Sequence, residues 1–237
     1  MPSLNKPVKK HMRSLRLSRR LQVVADFVCP GKRTADVGCD HGKLSAFLLE
    51  SKKTPFVYAT DLRPAPLEKA KTLLAERGLE EVSACICCDG LQEVPQTVEQ
   101  VVIAGMGGEE ICHILDQAPW ARREDFPMVL CPHSKAEVVR RWLASEGFQV
   151  EREAMVEEKG HFYPIMAARF TGITRELPLL ECYCGLPTME GDVQGFYHHI
   201  KEQMKAILAQ APENSTSYQL ANQLLKEMDK NDSTQTS

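Results

Sequence analysis

Apolar positions along the chain keep two different periods. Leu17, Leu21, Val24 and Val28 recur at helical spacing, which predicts an amphipathic helix over about residues 15–28 with Arg16, Arg19 and Arg20 on its polar side. Short apolar runs then alternate with helical stretches. The runs predict strands near 33–37, 55–61, 82–88, 99–104, 127–131, 147–156 and 162–170. Helical patterns fall between the earlier ones, near 43–51, 65–77, 109–117 and 135–145. Repeated strand–helix units build a parallel, doubly wound sheet with helices on both faces. Only Lys159-Gly160 separates the last two strands, so they read as a terminal antiparallel hairpin. The fold class is therefore α/β, a Rossmann-like, seven-stranded, mostly parallel sheet.

The pattern changes after Leu177. Val193, Phe196, Tyr197, Ile200, Met204, Ile207, Leu208 and Ala211 form one helical stripe, and Tyr218, Ala221, Leu224, Leu225 and Met228 form another. Pro212-Glu213-Asn214-Ser215 breaks them, which predicts a coiled-coil-like α-helical hairpin whose stripes are each other's core. The expected organisation is a basic leader at 1–14, an α/β domain at 15–172, a linker at 173–188, the hairpin at 189–230 and a polar, disordered tail at 231–237.

Composition narrows the setting. Of 237 residues 43% are hydrophobic and 26% charged, values of a soluble globular chain. No apolar run is long enough to span a membrane, and the basic N-terminus lacks the apolar core of a signal peptide. Several of the nine cysteines, among them Cys85, Cys87 and Cys131, lie in strand-like runs and read as small buried hydrophobes of a reducing, cytoplasmic protein. Cys85/Cys87/Cys88 and Cys182/Cys184 lack zinc-ligand spacing, so no metal is expected. Charge is unevenly spread. The first twenty residues carry seven lysines and arginines and no acid, whereas the rest carries 22 bases against 32 acids. A basic arm on an acidic body fits either a phosphate-rich partner or a merely solvated leader. On the first reading Lys9, Lys10, Arg13, Arg16 and Arg19 are substrate-binding.

The most informative turn is Ala35-Asp36-Val37-Gly38-Cys39-Asp40-His41-Gly42, placed where the first strand should pass into a helix. A dinucleotide site wants G-x-G-x-x-G there, so that backbone can approach a pyrophosphate. Asp40 stands where the second glycine would be. A carboxylate repels a pyrophosphate but attracts a ligand carrying an ammonium and a sulfonium, so the turn reads as a site for S-adenosyl-L-methionine. Ligands of open α/β sheets bind at the carboxyl ends of the strands, and each predicted strand ends in matching chemistry. Asp36, Gly38 and His41 follow the first. Asp61 and Leu62 end the second, where an acid can accept ribose hydroxyls. Asp89, Gly90 and Leu91 follow the third, where a carboxylate can take an adenine amino group. Ala104, Gly105, Met106 and Gly107 follow the fourth, and Pro132 and His133 the fifth. Arg20 reads as a partner for the cofactor carboxylate or for a phosphate. Met106, Gly107, Pro132 and His133 read as substrate-binding, and Asp40 is the candidate catalytic carboxylate.

Leu17-Ser18-Arg19-Arg20-Leu21, the Asp36-to-His41 turn, Asp89-Gly90-Leu91, Ile103-Ala104-Gly105-Met106-Gly107-Gly108 and Arg141-Trp142-Leu143 together resemble the bacterial tRNA (adenine-22-N1)-methyltransferases, the TrmK family. The resemblance covers about residues 15–170, and the helical hairpin matches the family layout. It implies a class I methyltransferase fold, S-adenosyl-L-methionine as cofactor, tRNA as partner and methylation of N1 of adenine 22. The chain departs from the family in Cys39 before the Asp-His pair, in Asp61 where Glu is frequent, and in Cys131-Pro132-His133 where Gln-Pro-Asn is usual. An Asn/Asp-Pro-Pro-aromatic motif, typical of enzymes that methylate an exocyclic amino group, is missing after the fourth strand. Read from the residues alone, two further classes stay open: a methyltransferase of another RNA, a small molecule or a protein, and a non-catalytic cofactor- or RNA-binding protein. A monomer or weak dimer, without membrane association, is expected.

Overall fold

The computed structural model describes residues 14–235; the leader, with Lys9, Lys10 and Arg13, lies outside them. The strands are β1 (Thr34–Val37), β2 (Val57–Asp61), β3 (Ser83–Cys87), β4 (Gln100–Ala104), β5 (Pro127–Cys131), β6 (Phe148–Glu158), β7 (His161–Phe170) and β8 (Glu190–Gly191). They form one sheet in the order β3-β2-β1-β4-β5-β7-β6-β8. The first five are parallel, and β7 runs antiparallel to both β5 and β6. The β6–β7 turn is the expected pair, with Lys159 at φ 56° and Gly160 at φ 78°, the positive-φ geometry of a tight hairpin.

The helices are α1 (Arg19–Phe27), α2 (Lys43–Glu50), α3 (Pro64–Glu76), α4 (Gly108–Asp116), α5 (Ala136–Ser145), α6 (Leu179–Cys184), α7 (Val193–Gln210) and α8 (Thr216–Gln235). α1 starts four residues later than its apolar stripe suggests. Ser18 caps it, its hydroxyl accepting from the Leu21 N–H at 3.4 Å. β1, β4 and β5 are fully buried or nearly so, as parallel strands covered on both faces must be. One core lies on the α4/α5 face around Ile103, Leu115, Leu130 and Leu143. Another lies under α1 and α2 around Val24, Leu48, Val102 and Ile165.

Three expectations change at the C-terminal end. The sheet has eight strands, because Glu190–Gly191 pairs parallel with Ala154–Met155 of β6. The linker contains α6. The tail is helical rather than disordered as far as Gln235. Side chains of α7 explain the last point: Lys201 Nζ pairs with Asp229 and Asp232 at 2.8 and 2.6 Å, and the Tyr197 hydroxyl donates to the Met228 carbonyl at 3.0 Å. The hairpin's stripes do pack on each other, with Phe196, Ile200, Met204, Ala221, Leu224 and Met228 buried, but Met155 and Phe162 of the sheet join the same cluster. The hairpin is thus docked by a strand and by shared core.

Candidate active site

The chain runs outward from β1 to β3 and then crosses back to β4, so the sheet has its topological switch point between β1 and β4. Open α/β sheets bind ligands outside the strand ends at such a point. The turn after β1 is built by two glycines, Gly38 at φ 70° and Gly42 at φ 67°. A side chain at Gly38 would run into the Met106 methyl group, and one at Gly42 would meet Ala70 Cβ at 2.8 Å. The glycines therefore let the β4 loop and α3 close in on the turn.

Two of the predicted acids are already engaged. Asp36 is buried, and its Oδ2 accepts from the Ser45 hydroxyl at 2.5 Å. Burial pushes its carboxyl up to about 6, against the pull of the Ser45 hydrogen bonds. It ties β1 to α2 from beneath the turn. Asp61, 5% exposed, accepts from the Asp40 N–H at 3.3 Å through Oδ2 and from the Arg63 N–H at 2.9 Å through Oδ1. It positions Asp40 from the end of the neighbouring strand.

Asp40 itself is outward. Its side chain is 61% exposed, and its Oδ2 lies 2.5 Å from His41 Nδ1. Leu62 is 64% exposed, an unusual setting for a leucine beside a buried strand. Asp89 is half-buried at the neighbouring strand end. Gly90 and Leu91, by contrast, turn inward. Leu91 is buried in the α4-side core, a side chain at Gly90 would strike Ile114, and the Gly90 carbonyl accepts from the Thr60 hydroxyl at 3.1 Å. They hold β2 and the β3 loop together, leaving only backbone for a ligand.

The loops after β4 and β5 are zipped beyond their strands. The Gly105 N–H donates to the Cys131 carbonyl at 3.0 Å, the His133 N–H to the Met106 carbonyl at 2.9 Å, and the Gly108 N–H to the Ser134 carbonyl at 2.9 Å. This ladder sets Pro132 and His133 beside Met106 and Gly107. Pro132 is buried and His133 exposed. The ladder needs Gly108, where a side chain would collide with the Lys135 carbonyl.

Arg20 reaches the same edge from α1. Its guanidinium lies 4.8 Å over the Tyr163 ring and beside Gly105. It also touches the Cys131 thiol, which burial raises to about 11 against the pull of the guanidinium. The Arg20 N–H donates to Glu158 at 3.0 Å, and this bond holds the Glu158 carboxyl below its usual range. Arg16 is exposed. Arg19 points elsewhere, pairing with Asp192 at 2.8 Å and donating to the Glu157 carbonyl at 3.2 Å. It fastens α1 to the start of α7, with its side chain still 60% exposed. Sequence reading missed Tyr163 and Glu158, which carry no local signal and meet Arg20 only because β7 folds back beside β5.

Among the described residues no group of three or more His, Cys, Asp or Glu side chains could hold a metal ion. No described helix is long and apolar enough to cross a membrane.

Comparison with known proteins agrees with the fold. A methyltransferase-domain family profile matches residues 17–166. The tRNA (adenine(22)-N(1))-methyltransferase of Bacillus subtilis (strain 168) is 31% identical over 158 residues, which span 66% of this chain and 66% of that protein. Among solved structures, Sp1610 of Streptococcus pneumoniae superposes with a TM-score of 0.78 at 27% identity, covering 90% of this chain and 99% of that one. Sp1610 has also been solved in complex with S-adenosyl-L-methionine. TrmK of M. capricolum, solved with S-adenosyl-homocysteine, shares the fold with a TM-score of 0.77 at 23% identity, over 90% of this chain and 98% of that one. The chain belongs to the methyltransferase-domain family and, within it, to the TrmK family.

Proposed function

We propose that this chain is an S-adenosyl-L-methionine-dependent methyltransferase that modifies N1 of adenine 22 in tRNA. The observation that carries the reading is the convergence of Asp40, Asp61 and the Gly105–Gly107 loop at one switch point, with Asp61 holding the Asp40 backbone at 3.3 Å.

The residues present suit the cofactor. Gly38 keeps a floor that any side chain would fill. Asp61 and Asp89 offer acceptors for ribose hydroxyls and an amino group, Leu62 offers an apolar surface, and Arg20 offers a guanidinium for a carboxylate. Bound S-adenosyl-L-methionine supplies an activated methyl group. The protein's part is to hold the acceptor base in line with it, which removes much of the barrier. Adenine N1 is an in-plane lone pair occupied in a base pair, so the base must leave its stack first. Gly105 and Gly107 leave room for a planar ring, and His133 lines the entry. Methylation at N1 leaves the ring cationic. The Asp40 carboxylate stabilises that charge and accepts an amino proton.

The hairpin's apolar stripe is spent within the chain, which supports a monomer or weak dimer. A tRNA substrate supports a cytoplasmic setting.

The test is methyl incorporation into tRNA transcripts carrying adenine or guanine at position 22, with Asp40→Asn alongside. The expected result is incorporation at adenine 22 only, and a variant whose turnover falls further than its cofactor affinity. No incorporation into tRNA, with transfer to another acceptor, overturns the substrate assignment.

A further inference from the structure

Asp40, His41 and Lys69 form a continuous chain of polar contacts across the rim of the site. His41 Nδ1 lies 2.5 Å from Asp40 Oδ2, and His41 Nε2 lies 3.2 Å from Lys69 Nζ. Lys69 is on α3, 28 residues from His41, and no sequence motif links the two. Gly42 brings them together: having no side chain, it lets α3 approach until Ala70, the residue after Lys69, packs against the turn.

The chemistry of the three groups leaves one arrangement of protons. A lysine ammonium has three donors and no lone pair. It can bond His41 only if Nε2 is an acceptor. The ring proton then sits on Nδ1, where it is donated to Asp40 Oδ2. An imidazolium would set two donors against each other at Nε2. The other neutral tautomer would do the same, and would leave a lone pair at Nδ1 facing a carboxylate. Asp40 also has φ 50°, in the left-handed region, so its own backbone does not favour this placement. The carboxylate is held from one side by the imidazole, and Oδ1 makes no hydrogen bond to the described residues.

We propose that Lys69 is a positioning residue: it fixes His41 as the neutral Nδ1–H tautomer, and His41 in turn aims the Asp40 carboxylate so that Oδ1 meets the acceptor base. In this role Lys69 acts through His41. The assignment rests on the reading of Asp40 as the carboxylate beside the acceptor base, but its first test does not need RNA.

That test reads the His41 ring by proton–nitrogen correlation NMR on the full-length chain labelled with 15N-histidine, comparing wild type, Lys69→Met and Lys69→Arg, with His41→Gln to assign the signal. The wild type is expected to show a protonated Nδ1 and an unprotonated Nε2. Lys69→Met releases the constraint and gives mixed tautomers, whereas Lys69→Arg, which also only donates, restores the wild-type pattern. On tRNA, Lys69→Met lowers kcat roughly tenfold, less than the roughly hundredfold or more that a general acid–base group itself supplies. Its KM for S-adenosyl-L-methionine changes little, and Lys69→Arg recovers most of the rate. A wild-type ring protonated at Nε2 overturns the proposal. So does a Lys69→Met protein with an unchanged ring and unchanged kcat. Failure of the wild-type chain to methylate tRNA would strike at the proposed substrate, and the NMR comparison would still decide the role of Lys69.

Discussion

Arg140 and Glu153 form an ion pair that is almost entirely out of solvent, with side chains 3% and 1% exposed and Nη2 2.6 Å from Oε1. The pair reaches beyond itself. Arg140 Nη1 donates to the Cys182 carbonyl at 2.8 Å, and Glu153 Oε2 accepts from the Leu186 N–H at 2.8 Å. It thereby pins the C-terminal end of α6, the approach to the helical hairpin, onto α5 and β6.

Removing one partner leaves the other charged and buried. Glu153→Ala is expected to cost about 3–5 kcal/mol, the range for a broken buried pair. Urea unfolding measures it. Arg140→Met with Glu153→Leu should recover part of the loss. A cost below about 1 kcal/mol for Glu153→Ala, the level of a surface pair, would mean that the pair is not sealed from water.

Asp36 gives stability a pH dependence of defined sign. Its carboxyl moves from an ordinary value of 3.8 to about 6 on folding. Between these values the native protein keeps a proton that the unfolded chain has released. Stability from this group therefore falls as pH rises through the window, and the cost, about 3 kcal/mol at most, is complete above it. Asp36→Asn should flatten unfolding free energy between about pH 4 and pH 6 relative to wild type. Parallel profiles for the two proteins would remove Asp36 from the account.

Gly38→Ala tests the floor of the site. The side chain it meets is the flexible end of Met106, which can move aside, but φ 70° stays unfavourable for alanine. A stability loss of about 1–3 kcal/mol is expected, with weaker S-adenosyl-L-methionine binding. Adding Met106→Ala should restore little of the stability, because the strain lies in the backbone. Full recovery in the double variant would assign the effect to the clash.

Asp61→Asn addresses the cofactor. It keeps the shape of the side chain and removes the charge offered to ribose hydroxyls, and its amide nitrogen can no longer accept from one of the two backbone N–H groups, Asp40 or Arg63, that the carboxylate serves. Calorimetry should show S-adenosyl-L-methionine affinity reduced by about 1–3 kcal/mol. Unchanged affinity would leave Asp61 with only its role in holding the turn.

The basic leader is tested by salt. Each phosphate contact adds about one unit to the log–log slope of binding against salt. Replacing Lys6, Lys9, Lys10 and Arg13 by alanine should weaken tRNA binding and flatten that slope by about two to four units. Affinity for S-adenosyl-L-methionine should not change. An identical slope would make the leader a solvated segment.

The helix-to-strand alternation, the Lys159-Gly160 turn and the glycine turn at Gly38–Gly42 were all legible in the sequence. Each is a local matter: apolar period sets an element, and a glycine sets a turn within a few residues of it. Local periodicity also located the two stripes of the hairpin. Strand-end chemistry could be read in the same way, because parallel strands joined by helices bring their carboxyl ends to one edge.

What each side chain does at that edge was decided only by tertiary structure. Asp36, Asp40 and Asp61 look alike in sequence, yet Ser45 engages the first, His41 the second, and the backbone of Asp40 and Arg63 the third. Leu91 goes to the core and Leu62 to the surface. Arg19 and Arg20 are adjacent, but one pairs with Asp192 and the other stacks on Tyr163. Periodicity and motif spacing describe neighbours along the chain. The deciding partners here lie up to 173 residues away, on strands and helices whose registers no local pattern encodes.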